Sequence, residues 1–476
     1  MPTAAAVHRH IQFPADWRER LRIPLALVAI ALLLGILLRR TAVHAEADDG
    51  VVLTDSTTDP AEWGRRYPQE FRDWRGGLEA RRSSLGGAGH SADDDPRLAR
   101  MWAGYPFAGE SQFPQGHAHS LSATDSLSQP APSACLTCHG SAYSELRRAG
   151  SGDAARGADA LAQDSYEAVR QRVRHPVACL DCHEPSSMRL RVTRPAFIEG
   201  LRAERAAAGT RGFDVNRDAS PREMRTYVCA QCHVEYFLAD RQETVALPWA
   251  RGLRADSILA YYDSTGHVDW LHATSLAPVL KAQHPDYELY TQGAHAHAGV
   301  TCSDCHMPHR RAHGRDVADH RTPDPLADVD HACRACHDAS AKSLQDRVAG
   351  IQTATLELRT TALDALLSLI ADIELARGTD SGRVTLRAAR DFQRRAQFLL
   401  DFVESDRSLG FHAPQESARL LANSINFSRL GQTVIRGEGR PPIVDGAPPR
   451  PRRRMEVQGG SGLKRASLWG DGGGGW

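Results

Sequence analysis

The sequence predicts a mostly α-helical protein with few strands and long C-terminal helices. Three observations carry that expectation. Apolar residues recur every three or four positions over Ser340 to Arg377 and again over Val384 to Glu404, the period of a helix with one buried face. The central stretch, Trp102 to His337, is rich in Gly, Pro and His and holds little sustained period. All ten cysteines fall within that stretch, in five short motifs of one design.

Composition sets the outer bounds. The 476 residues suffice for one large domain or two ordinary ones. Lys plus Arg and Asp plus Glu are equal at 58 each, so the chain carries no electrostatic footprint for DNA or RNA, and no nucleic-acid partner is expected. Hydrophobic residues make up 41% and aromatics 6%. That is a lean supply for a core of this size unless another apolar body shares the interior.

From the N-terminus, Ile23 to Leu38 form an unbroken apolar run of sixteen residues behind Arg18, Arg20 and Arg22, the order of a positive flank and a hydrophobic segment. Val43-His44-Ala45 offers a small-residue cleavage site, although Arg39 and Arg40 intervene, and the run is shorter than the roughly 20 residues of a spanning helix. Residues 1–45 therefore read as a signal peptide or a membrane anchor. Both place the chain in the periplasm or otherwise outside the cytoplasm. Residues 46–100 form a polar lead-in, with short helices expected around Trp63 and Trp74.

Residues 101–338 hold the motifs: CLTCH (Cys135, Cys138, His139), CLDCH (Cys179, Cys182, His183), CAQCH (Cys229, Cys232, His233), CSDCH (Cys302, Cys305, His306) and CRACH (Cys333, Cys336, His337). Two thiols at this spacing form thioethers to the two vinyl groups of a haem, and the adjacent imidazole becomes an axial iron ligand. A zinc site or a redox dithiol accounts for one such motif. Five copies that consume every cysteine point to five covalently bound haem c groups. The porphyrins also supply the missing apolar mass, so the fold expected is a multihaem cytochrome c with a haem-packed core. Of 22 histidines, five follow the motifs, and which of the others reach an iron stays open at this level. A chain with every iron six-coordinate is an electron wire, whereas one open iron makes a catalyst.

Residues 339–436 follow as a helical region, a hairpin or bundle broken at Gly378 to Gly382, whose apolar face packs on the haem core or on another subunit. The tail, 437–476, with Pro441, Pro442, Pro448, Pro449, an Arg cluster and terminal glycines, is expected to be disordered.

From about Trp102 to His412 the chain resembles the pentahaem, ammonia-forming cytochrome c nitrite reductases, the cytochrome c-552 family. The resemblance rests on WAGYPF (Trp102 to Phe107), CHVEY (Cys232 to Tyr236), KAQHPDYE (Lys281 to Glu288), CHMP (Cys305 to Pro308) and GFHAP (Gly410 to Pro414), in the family's order. It implies an open distal face on the first-motif haem and bis-His ligation of the others. His320 would close the second haem, His117 the third, His412 the fourth and His295 the fifth, with His119 and His297 as the nearest alternatives. His175, His309, His313 and His331 gain no role.

The resemblance also implies a Tyr and a His over the open iron, matching Tyr236 and His284. Beside them it implies a calcium ion held by the side chains of Glu235 and Gln283 and the carbonyls of Tyr236 and Lys281. The implied reaction is the six-electron reduction of nitrite to ammonium, with electrons from a quinol-linked donor at the membrane, in a homodimer joined through the long C-terminal helices. Hydroxylamine or sulfite are the alternative substrates of that scaffold. A non-catalytic electron-transfer cytochrome is the rival from another class.

Two positions depart from the resemblance. Many relatives attach the catalytic haem through CxxCK, where this chain has CLTCH and therefore His139. The family also carries an active-site Arg ahead of that motif, yet here no Arg or Lys occurs between Arg100 and Arg147, and Thr124 to Pro132 offers only Ser126 or Ser128. Either another Arg reaches the pocket, or nitrite turns over slowly, or the substrate differs. Loss of a cation disfavours anions more than neutral hydroxylamine, so the expected consequence is a raised ratio of hydroxylamine to nitrite activity.

Overall fold

The computed structural model describes residues 50–79, 95–107, 116–127, 129–239, 243–312, 314–378 and 383–437. The signal or anchor segment 1–45 and the tail beyond Gly437 lie outside them. The chain divides into two compact units, residues 1–52 and 53–476. Of the first, only residues 50–52 are described, and Val52 is exposed. All that follows concerns the second. Among the described residues no helix is long and apolar enough to cross a membrane.

The second unit is mostly α, and among the described residues its strands form three short antiparallel hairpins, as few as expected. They are β1 (Phe237–Leu238) with β2 (Val245–Ala246), β3 (Trp270–Leu271) with β4 (Pro278–Val279), and β5 (His309–Ala312) with β6 (Arg315–Ala318). The helices around Trp63 and Trp74 are Pro60–Arg66 and Pro68–Arg75. Asp59 starts the first by accepting from the Ala61 N–H at 2.8 Å, with Pro60 in the first turn. Both indoles are tied down: Trp63 Nε1 donates to Thr57 O at 2.8 Å and Trp74 Nε1 to Val177 O at 3.0 Å, just ahead of the second motif.

Four further helices frame the site: α1 (Pro96–Met101), α2 (Pro195–Ala207), α3 (Pro221–Ala230) and α4 (Ala255–Thr265). Ser220 and Glu223 close a capping box at the start of α3. That fixes the helix whose end carries Cys229. The expected C-terminal helices are α5 (Ala341–Arg377) and α6 (Arg383–Glu404). At 37 residues, α5 is about 55 Å long.

A third long helix, α7 (Pro414–Arg436), begins just past His412 and packs against both α5 and α6. Its inward face is built from Ser417, Leu420, Leu421, Ser424, Ser428 and Gly431. The helical period is present but is carried by small polar residues, which let the helices approach closely. Ser424 Oγ donates to Ala396 O at 2.8 Å, and a Cβ on Gly431 would stand 2.7 Å from the Leu369 side chain. The main core joins Met101, Phe197, Tyr227, Tyr262, Leu366 and Phe398, one from each of α1 to α6.

Two buried charge clusters bind the C-terminal helices to the rest. Arg359 of α5 reaches Asp95, the N-cap of α1, and also pairs with Glu404 of α6 at 2.6 Å. Asp401 of α6, fully buried, accepts from Trp102 Nε1 at 3.1 Å, Lys281 Nζ at 2.9 Å and the Ala282 N–H at 2.9 Å. One carboxylate thus holds WAGYPF and KAQHPDYE together. Burial pushes it up, opposed by the Lys281 ammonium.

Candidate haem and substrate site

Each CxxCH motif occupies a helical turn or the end of one. The N–H of the motif histidine bonds back to the first cysteine's carbonyl at 2.8 Å for His183, 3.1 Å for His233 and 3.0 Å for His337. A helical turn puts the two thiols on one side of the backbone with the imidazole one turn on, the placement a porphyrin edge requires. None of the ten cysteines is in a disulfide. All five motifs line one continuous cavity of about 5600 Å³, several times the roughly 300–1,000 Å³ of an ordinary ligand pocket.

Ring geometry tests the fit further. A ring nitrogen lies about 1.1 Å from its imidazole centroid and a metal–nitrogen bond is about 2.0–2.1 Å, so two imidazoles on opposite sides of one metal place their centroids about 6.3 Å apart. His183 and His320 are 6.3 Å apart, His117 and His233 6.5 Å, and His295 and His337 6.2 Å. In these pairs it is His117 and His295, rather than His119 and His297, that face motif histidines. His306 and His412 line the same cavity, and burial together with the charge of His412 pushes His306 down to about 4.

Several of these rings are oriented by a bond from Nδ1, which leaves Nε2 for a metal. His139 Nδ1 donates to Ser120 O at 3.0 Å, His183 Nδ1 to Met188 O at 2.9 Å and His320 Nδ1 to Ala318 O at 2.8 Å. Two others donate to carboxylates: His233 to Asp286 at 3.2 Å and His412 to Asp406 at 2.8 Å. The backbone that presents His412 depends on Gly410, whose φ of +81° is left-handed and whose Cβ would meet Thr355 Oγ1 at 2.5 Å. Two histidines without an assigned role have rings bonded elsewhere. His309 pairs with Asp316, His331 with Asp328, and the His175 carbonyl accepts from Ser141 N–H. His313 lies outside the described residues.

His139 faces no second imidazole at such a distance among the described residues. Its charge acts on His284, whose ring lies 6.4 Å from that of Tyr236. Burial, then the charge of Arg407, pushes His284 down to about 3, and His139 adds to the effect. Burial pushes the Tyr236 phenol up, so it stays a hydrogen-bond donor. Beneath the pair lies Glu235, fully buried, which accepts from Tyr262 Oη at 2.9 Å and from the Gln283 N–H at 2.6 Å. Glu288 stands behind it, bonded through Oε1 to Trp249 Nε1 and the Glu235 N–H, while its Oε2 is buried without a partner. Burial raises both carboxyls, Glu288 to about 8. Two buried carboxyls side by side, one with an oxygen that has no partner, suit a hard divalent cation. Gln283 bonds Tyr105, and the Lys281 ammonium is committed to Asp401, so of Lys281 only the carbonyl is available to such an ion.

Of the substitutes considered for an active-site cation, Ser126 is not among the cavity-lining residues and Ser128 lies outside the described residues. The same segment brings a carboxylate instead, Asp125, and Arg170 neutralises it through a bidentate pair at 2.9 Å. Sequence reasoning did not single out Arg407, which lines the cavity from the turn after α6.

Comparison with known proteins gives the family and the fold. A family model for cytochrome c552 matches residues 59–439. A cytochrome c-552 of Bacteroides fragilis (strain YCH46) is 32% identical over 386 residues, spanning 78% of this chain and 76% of the relative. One from Parabacteroides distasonis is 32% identical over 373 residues, spanning 76% and 73%. Among solved structures, the catalytic subunit of the Desulfovibrio desulfuricans cytochrome c nitrite reductase, described with two calcium sites, gives a TM-score of 0.73 at 24% identity, covering 81% of this chain and 87% of that one. At that identity the likeness is one of fold. With the five motifs on one cavity wall and the family match running across nearly all of the described chain, the protein belongs to the cytochrome c552 family of haem c proteins.

Proposed function

We propose that this protein reduces nitrite to ammonium at the haem carried by Cys135, Cys138 and His139, with the other four haems as its electron supply. The observation that carries the reading is the asymmetry among the motif histidines. Three of them face an imidazole at 6.2–6.5 Å; of the other two, His306 is acted on by the charge of His412, whereas the charge of His139 acts on His284, whose ring lies 6.4 Å from the Tyr236 phenol. His320, His117, His412 and His295 then close the second to fifth haems. The relatives' name and the nitrite reductase fold of the solved neighbour support the same reading.

The haem supplies the iron that binds substrate and the path for electrons. The chain's own residues supply the rest. Turning nitrite into ammonium consumes six electrons and eight protons, so donors must polarise the N–O bonds and return protons to departing oxygens. The Tyr236 phenol, protonated because it is buried, donates a hydrogen bond to a substrate oxygen, and His284 carries protons in from the cavity. Glu235 and Gln283 side chains with the carbonyls of Tyr236 and Lys281 would hold calcium, whose charge stiffens the segment that carries Tyr236 and His284. We place the protein outside the cytoplasm, with a quinol-linked donor, and as a homodimer through the long C-terminal helices.

The test is product analysis with electron paramagnetic resonance on the holoprotein. With reduced viologen and nitrite, ammonium should form without free hydroxylamine, and the oxidised protein should show one high-spin haem beside four low-spin ones. Five low-spin haems would end the enzyme reading in favour of an electron-transfer cytochrome. Ammonium from hydroxylamine but not from nitrite, or sulfide from sulfite alone, would move the substrate and leave the scaffold.

A further inference from the structure

Three of the five motifs converge on Thr193 and Arg194, two buried residues at the start of α2 that are 1% and 2% exposed. Arg194 Nη1 donates to Asp181 Oδ1 at 2.8 Å, and Nη2 donates to Gly140 O at 3.1 Å. Gly140 directly follows His139 of the first motif. Asp181 is the third residue of CLDCH and fully buried, and its Oδ2 accepts the Ala178 N–H at 2.9 Å, which closes the turn Cys179–Cys182. Gln231, the third residue of CAQCH, accepts through Oε1 from the N–H groups of Thr193 at 2.8 Å and Arg194 at 3.2 Å. Its Nε2 donates to Asp181 O at 3.1 Å, and Thr193 Oγ1 donates to the same carbonyl at 2.9 Å.

Stability alone is a poor account of a charge pair here, because a buried ion pair adds little over apolar residues of the same volume. Its orientation suggests another use. The negative end, Asp181, lies inside the turn that carries the second haem's two thiols. The positive end reaches across to the chain beside the first haem's proximal ligand. Both side chains line the haem cavity, and at 0% and 2% exposure they are screened little by salt or water. A guanidinium stays charged throughout. Reduction adds an electron, so a nearby cation favours the reduced iron and a nearby anion the oxidised one.

We propose that the Arg194–Asp181 pair biases electrons toward the first haem, making that haem easier to reduce and the second harder. The equilibrium concerned is one electron on either of two irons, one oxidised as the other is reduced, with no bond or proton exchanged. The proposal rests on the functional reading above only in making the first haem the electrons' destination. Arg194 and Asp181 touch no substrate and act through their field. At an effective dielectric near 20 the two opposed charges should set the ratio of reduced first haem to reduced second haem by about tenfold, which is about 59 mV for one electron.

The experiment compares wild type with three variants as holoproteins, each shown to carry five haems by haemochrome assay. Arg194→Gln combined with Asp181→Asn removes both charges and leaves no ion buried alone. Arg194→Lys keeps the cation. Thr193→Val keeps both charges and breaks the Thr193 Oγ1 bonds, so it reports what loosening the junction does by itself. Reductive titration is followed by electron paramagnetic resonance, reading the high-spin signal of the first haem against the low-spin signals. The double variant should lower the midpoint of the high-spin haem and raise that of one low-spin haem, a change of about tenfold in their ratio. Arg194→Lys should stay within about threefold of wild type, and Thr193→Val within about twofold. If the double variant fails to take up five haems, Asp181→Asn alone keeps the cation with its bonds to Gly140 and Thr193, and should move the ratio the same way by about threefold. A double variant within twofold of wild type, or a Thr193→Val shift as large as the double variant's, would overturn the proposal and leave the functional reading standing. Five low-spin haems in wild type would end the functional reading, while one low-spin midpoint falling as another rises would still uphold the field of the pair.

Discussion

Gly293 is where the proposed ligation of two haems is most exposed to a single carbon atom. It precedes the helical turn Ala294–His297 that presents His295, and its φ of −88° is one any residue adopts, so alanine meets no backbone strain there. The obstacle is contact: an added Cβ would lie 1.9 Å from the His412 carbonyl oxygen and 3.3 Å from that of Tyr290. Carbon and oxygen settle at about 3.3–3.6 Å, so the two segments must part by about 1.4 Å. An iron–imidazole bond of about 2 Å does not survive a displacement of that size. Gly293→Ala should therefore detach His412 or His295 and convert one low-spin haem to high spin, at a stability cost of about 1–3 kcal/mol. Spin counting by electron paramagnetic resonance reads the first effect and thermal melting the second. As control, Gly350→Ala in α5, where an added Cβ meets nothing within 4 Å, should raise stability by about 0.5–1 kcal/mol with unchanged spectra. A correctly loaded Gly293→Ala protein with the wild-type spin count would refute the ligand assignment at that contact.

Four further outcomes follow from the buried charges. Arg359→Leu strips the cation from Glu404, whose side chain is 4% exposed, and leaves Asp95 with Arg97 alone, and should cost about 3–5 kcal/mol in thermal or urea unfolding. Hydrogen bonding from Arg97, with Arg359 behind it, holds the Asp95 carboxyl well below the usual carboxylate range. A folded pKa below the unfolded value gives stability that is complete above about pH 4 and lost as pH falls through the folded value, so Asp95→Asn should flatten the acid limb of a melting-temperature profile. Asp406→Asn removes the negative charge that His412 Nδ1 donates to and should raise the potential of the fourth haem by on the order of tens of millivolts in spectroelectrochemical titration. Calcium at a hundredfold excess over its Kd should add about 2.7 kcal/mol of stability, an effect that chelation reverses and Glu235→Gln abolishes. Melting unchanged by chelator would remove calcium from the site.

How much of this could be read from the sequence depends on whether the chemistry is local. The CxxCH motifs were legible because thioethers and a proximal imidazole must come from one helical turn. The partners of those histidines were not, because His117 meets a motif histidine far downstream and His320 one far upstream, and no spacing rule joins such pairs. Only the family resemblance named them. Helices α5 and α6 were legible as apolar periods. Helix α7 fell inside the expected helical region 339–436 but showed no apolar period of its own, because Ser417, Ser424, Ser428 and Gly431 carry much of its inward face, and a hydrophobic count passes over small residues used for close packing.

The turn after α6 escaped for a related reason: in sequence it is a charged stretch after a charged helix. Its meaning comes from the company that it and the end of α6 bring to the cavity. Asp401 clamps Trp102, Lys281 and Ala282, which fixes the chain leading to Gln283 and His284. Asp406 orients His412, the Arg407 backbone ties to Asp286, and Asp286 orients His233. Within this short span the C-terminal helices hold His412, His233 and the backbone before His284, so they form a wall of the cavity. A change in their packing should then register at the haems before it registers in any subunit contact.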